Sequence, residues 1–201
     1  MRALMSSYPV TFRLERPARM SRAHVFLRIV VLVLSSWIVG TGGWLGLAYL
    51  GLPAAAAILI SQKGRQRYLA ESGDRVAGWV AFFVGVLAYV ALLTDELPGG
   101  GRQPIRLEIV RSGDPSVETA LLRILKATPS ALALALLGLA GSAVWLVAAI
   151  SILLDETFPA PLWSFQYGVI AWQARLMAYL ASLVAPYPPF SLETQATPHT
   201  A

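Results

Sequence analysis

Arg175 lies within an apolar run of the sequence, and Gly168, Trp172, Arg175 and Tyr179 follow one another at spacings of four, three and four. That spacing puts the four residues on one face of a helix. A guanidinium well inside an apolar helix costs about 2.5 to 3.5 kcal/mol on the lenient insertion scale, and it is paired, turned toward protein or water, or snorkelling. Its chemistry would be to hold a lipid phosphate or a partner's carboxylate, or to close an ion pair with Asp155 or Glu156. Just beyond, "VAPYPPFSLE" at 184–193 stops the helix with paired prolines and sets Tyr187 and Phe190 where aromatic rings anchor at the headgroup level. Arg175, Trp172, Tyr179, Tyr187 and Phe190 are therefore the candidate lipid- or partner-binding residues.

Other chemistry is thin. The chain has no cysteine, and its two histidines, His24 and His199, stand near opposite ends without metal-ligand spacing. There is no Gly-x-Ser-x-Gly elbow and no phosphate loop, and "GTGGWLG" lies in a hydrophobic run with no strand before it, so it fails the dinucleotide fingerprint. No catalytic residue, metal or cofactor is expected, and the chain is not read as an enzyme. The glycines read better as packing devices. Gly42 and Gly46 share a helix face, and Gly138 and Gly141 offer a related one, serving either contact between the two halves of the chain or a homo-oligomer.

The elements that must position these residues belong to a membrane protein. Hydrophobic residues make up 56% of the chain and charged ones 13%, with a mean hydropathy of +0.61, too little polar surface for a soluble domain of this size. Runs at 25–61, 76–94, 130–154 and 165–185 are each long enough to span a hydrocarbon core of roughly 30 Å. The net charge of +5 sits beside these runs, where anionic lipid headgroups attract it, so lipid and not nucleic acid is the expected partner. The first run continues to Ile60, past the length of a signal peptide, so an uncleaved anchor is expected.

The chain also aligns with itself. "PVTFRLER" at 9–16 falls on "PIRLEIVR" at 104–111 and "LRI" at 27–29 on "LRI" at 122–124, while "AY" at 88–89 falls on "AY" at 178–179. We read a first membrane repeat at 1–100, a second at 101–192 and a disordered tail at 193–201. Each repeat opens with an alternating segment, Val10, Phe12, Leu14 and Ile105, Leu107, Ile109, which reads either as a two-stranded β element or as an extended arm bound to headgroups. Lys126 and Pro129 set off 130–154 as one span. Carried back to the first repeat, that division makes 22–35 interfacial and 36–61 spanning, the rival being a hairpin turn at "GTGG", 40–43. The expected fold is an all-α integral membrane protein of two tandem repeats, each with about two transmembrane helices and short interfacial helices. Eleven basic residues in the N-terminal arm and middle linker, against four in the loop from Lys63 to Arg75, put both termini in the cytoplasm. The hairpin would bring that loop inside as well.

"YGVIAWQARLMAYLASLVAPYPPFSL" at 167–192 resembles the signature of a bacterial membrane-protein family, the domain of unknown function numbered four-three-eight-nine. Its repeats carry a glycine-and-proline loop, an arginine-bearing helix with an Ala-Tyr pair, and a Tyr-Pro-Pro-Phe-Ser-Leu ending. Gly168, Trp172, Arg175, Ala178, Tyr179 and the run from Tyr187 to Leu192 match it. Ala171 replaces the family's first arginine, and Ala81 and Gly85 replace both in the first repeat. The resemblance implies a multi-pass protein of the bacterial cytoplasmic (inner) membrane. It implies no activity. The reading is a non-catalytic accessory or scaffold subunit with a membrane-protein partner or a homo-oligomer. The runner-up is a small transporter or lipid-handling protein with Arg175 as its charged site.

Overall fold

The structure, a computed structural model, describes residues 8–39, 43–97, 99 and 105–193. The alternating segments form strands β1 (Val10–Leu14) and β2 (Ile105–Ile109), which pair antiparallel with Phe12 opposite Leu107 at the centre of the ladder. Val10, Phe12 and Leu14 are buried, while Arg13 between them points outward, as the period of two requires.

Helix α1 runs Arg22–Val39 and α2 runs Gly43–Lys63. This corrects the expected division into an interfacial 22–35 and a spanning 36–61, because the helical hydrogen bonding set up at Arg22 continues well past residue 35. The "GTGG" turn falls mostly on 40–42, outside the described residues. A short α3 (Arg65–Arg67) passes through a π-turn at Tyr68–Ser72 into α4 (Gly73–Val90). Helix α5 is a single element from Val117 to Asp155, opened by a capping box in which Ser116 and Thr119 satisfy each other's backbone N–H. Pro129 does not divide it, contrary to expectation. The ring lies on an exposed side of the helix, and flanking turns packed on both sides carry the helix through the one missing N–H. Helix α6 covers Ala160–Leu180.

The two halves of the chain repeat this plan. β1 and α1 start at residues 10 and 22, β2 and α5 at 105 and 117, a difference of 95 in both cases, while α4 and α6 end at 90 and 180. The start of α1 lies beside the end of α5, where Arg22 donates to the carbonyl of Leu154 and pairs with Glu156. The start of α4 lies beside the end of α6, held through Arg111 to Asp74 and the Ser112 N–H to the carbonyl of Leu183.

Among the described residues two helical segments, Arg65–Val90 and Val117–Asp155, are long and apolar enough to cross a membrane. That is fewer than the four spans expected. Helix α6 is enclosed instead by α2, α4, α5, β1 and its own C-terminal extension, and every residue from Gly168 to Val184 is buried. It carries Gln166, Gln173 and Arg175 into the interior, which lowers its hydropathy below that of a lipid-facing helix. The four-span arrangement also put the loop from Lys63 to Arg75 on the face opposite the middle linker. The two are neighbours: Arg65 lies 3.7 Å from Asp114, and Arg111 donates to the carbonyl of Leu69 and to Asp74.

Candidate functional site

Two arginines that the sequence placed at the edges of apolar runs reach into the core. Arg28 is fully buried. Its Nε donates to the carbonyl of Tyr89 at 2.7 Å and its Nη2 to the carbonyl of Thr94 at 2.5 Å and to Asp95 at 2.9 Å, with the guanidinium carbon 4.5 Å from the Tyr89 ring centroid. Arg123 repeats the arrangement in the second half. Its Nη1 donates to the carbonyls of Tyr179 and Val184 at 2.5 and 2.7 Å, and its guanidinium carbon is 4.4 Å from the Tyr179 ring centroid. The last turns of α4 and α6 have orphan carbonyls, and each helix ends on a left-handed residue, Leu92 and Ser182. A cation at a helix C-terminus meets both the free carbonyls and the negative end of the helix dipole. Ala185 stands in the second half where the first has Asp95, so there the carbonyls and the aromatic face alone carry the charge.

The five candidate residues come together around the C-terminal extension, residues 185–193, which folds back along α6. Tyr187 packs edge-on against Tyr179, Phe190 edge-on against Trp172 and stacked with Tyr187, and the Tyr187 hydroxyl meets Ser130 Oγ at 2.6 Å. Arg175 donates to the carbonyls of Ser191 and Glu193. At Gly168 an added Cβ would lie 2.6 Å from the carbonyl oxygen of Leu192, so only glycine lets the extension lie flat there. The face read from the sequence thus exists, but the chain's own extension covers it. Glu156 pairs with Arg22, and Arg175 meets neither Asp155 nor Glu156, which corrects the ion pair considered for it. The Tyr8 hydroxyl closes the cluster by donating to the carbonyl of Pro186, and burial pushes its phenol up from the ordinary value so that it stays a neutral donor.

The glycines divide. Gly42 lies outside the described residues, and Gly46 and Gly138 have open space where a Cβ would project, so neither is a close helix contact. Gly141 is one, with the carboxamide of Gln166 3.2 Å from its added Cβ. His24 meets the Tyr89 hydroxyl at 3.3 Å, and His199 lies outside the described residues; among those described, no group of three His, Asp or Glu could hold a metal. Sequence reasoning missed the capping role of Arg28 and Arg123, although each lies in an "LRI" upstream of an Ala-Tyr pair, which was a usable signal. It also missed Gln166 and Gln173, seven residues apart and so on one face of α6.

A helical chain of two like units, with buried arginines closing the helix ends and two segments apolar enough to cross a membrane, is what fold and site define. Residues 118–191, the second half's helices and most of the extension that follows them, match the family model described as a domain of unknown function (DUF4389). No curated protein and no solved structure matches the chain.

Proposed function

We propose that the protein is a non-catalytic, multi-pass accessory or scaffold subunit of a complex in the bacterial inner membrane. The observation that carries this reading is the use made of the buried cations. Arg28, Arg123 and Arg175 all donate to backbone carbonyls of their own chain, so the polar interior serves architecture. The outer face of α5 is the complement: Leu125, Leu132, Leu136, Leu139 and Leu154 are exposed, an apolar strip suited to lipid and to another membrane helix. Anionic headgroups meet the basic residues around it.

A second reading, lipid handling, is favoured by a cavity between the two units, but not with Arg175 as its charged site, since that guanidinium is held by the extension. Copurification from native membranes with mass spectrometry of proteins and lipids separates the two. Recovery of a membrane protein in fixed ratio is expected; recovery of lipid alone would replace the scaffold reading with lipid handling.

A further inference from the structure

A cavity of about 360 Å³ lies where the two units meet, between α1 and α4 of the first and α5 and α6 of the second. Its polar side chains are Ser142, Trp145, Gln166 and Gln173, and the two glutamines are more than nine-tenths buried with no hydrogen-bond partner for their side-chain oxygens. An unpaired buried acceptor is costly and uncommon, and two on side chains that line one cavity call for a donor, which a turn of each carboxamide would bring them to meet. The other two donors on the wall are already bonded, Trp145 Nε1 to the carbonyl of Val90 at 2.8 Å and Ser142 Oγ to the carbonyl of Gly138 at 2.9 Å. No charged side chain lines the space. Gly138 and Ser142 on its rim are exposed, so the cavity opens along α5, next to the exposed Leu139 and Leu146. Small-molecule pockets run from about 300 Å³ upward, and a long chain could run out through the mouth along that apolar strip.

We infer that this cavity binds one uncharged, hydroxyl-bearing lipid, with the hydroxyl donated to Gln166 and Gln173 and the chain lying along α5. A charged headgroup would have no counter-charge there, and a molecule with acceptors only would leave both carboxamide oxygens bare. The inference stands apart from the scaffold reading, because a bound neutral lipid is compatible with either proposed role.

The test is native mass spectrometry of the full chain, delipidated in detergent and then offered dioleoylglycerol, triolein or dioleoylphosphatidylglycerol. One dioleoylglycerol per chain is expected, with retention falling roughly tenfold in the Gln166→Leu/Gln173→Leu double variant, about the worth of one or two hydrogen bonds. Gly138→Phe provides a second variant that does not depend on removing a polar group from the core. Its side chain enters open space and fills the mouth, so it should also abolish retention, whereas Gly78→Phe, equally open but remote on α4, should not. Circular dichroism checks that each variant is folded. Equal retention of triolein or of the phosphatidylglycerol, no retention by the parent chain, or unchanged retention in folded Gly138→Phe would each overturn the inference.

Discussion

The guanidinium carbon of Arg123 lies 4.4 Å above the ring centroid of Tyr179 while its Nη1 donates to the carbonyl of that same tyrosine, so one side chain holds both the ring and the backbone of the last turn of α6. Arg28 and Tyr89 repeat it at 4.5 Å in the first unit. A buried cation that satisfies several carbonyls cannot be removed cheaply, because the carbonyls stay buried when it goes.

Arg28→Ala and Arg123→Ala should therefore each destabilise the fold by roughly 3 kcal/mol, the scale of hydrogen bonds to a charged group. Lysine at either position should recover part of that, keeping the charge and losing the planar fork. Denaturant midpoints in detergent measure the differences. Two alanine variants as stable as the parent would mean the caps contribute nothing.

Arg175 and Gly168 hold the extension onto α6, so Arg175→Ala and Gly168→Val should release it. In the cysteine-free chain a single cysteine at the buried Pro188 reports this: labelling should be slow in the parent and speed up several-fold in both variants, with Arg175→Lys in between. Unchanged labelling would show that the aromatic contacts of Tyr187 and Phe190 suffice.

The strand register can be fixed chemically. Phe12→Cys with Leu107→Cys should form a disulfide under mild oxidation, since facing residues of an antiparallel pair bring their Cα atoms within bridging range. Phe12→Cys with Glu108→Cys, one residue out of register and on the other face, should remain reduced.

Gly113 has a φ of +94° and would carry a Cβ 2.8 Å from that of Ala185, whereas Gly64, at +83°, has open space around it. Gly64→Ala should cost about 1 to 3 kcal/mol for the backbone alone, since a ψ of 162° puts it in a region essentially confined to glycine. Gly113→Ala should cost distinctly more, as it must also displace Ala185. Equal losses in melting experiments would contradict the close approach.

Arg65 and Asp114 pair at 3.7 Å, which puts the loop after α2 and the middle linker at one end of the molecule. Cysteines introduced at the exposed Gln66 and Asp114 should be labelled from the same side of inverted and right-side-out vesicles. Labelling from opposite sides would restore the four-span arrangement.

Much of the local structure was legible because it depends on short-range rules. Alternation at Val10, Phe12 and Leu14 marks a strand, and the spacing of Gly168, Trp172, Arg175 and Tyr179 marks one face, whereas the proline pair does not end α6, which stops at Leu180 ahead of the left-handed Ser182. What covers that face was not legible. Apolar content says that a helix avoids water, but lipid, a neighbouring helix and a folded-back extension satisfy that requirement equally, and α6 has the last two.

The sequence by itself determined the helical class and the identity of the helix face that carries Arg175, since these follow from composition and helical periodicity. Only the tertiary structure decided which carbonyls the arginines cap, that α5 runs unbroken through Pro129, and that Gln166 and Gln173 share a cavity between the units. Those facts join residues such as Arg28 and Thr94 or Arg123 and Val184, more than 60 positions apart. The physical reason is that a hydrogen bond between distant residues leaves no periodic trace along the chain: a buried guanidinium needs acceptors, and only the folded packing brings a particular set of them within reach.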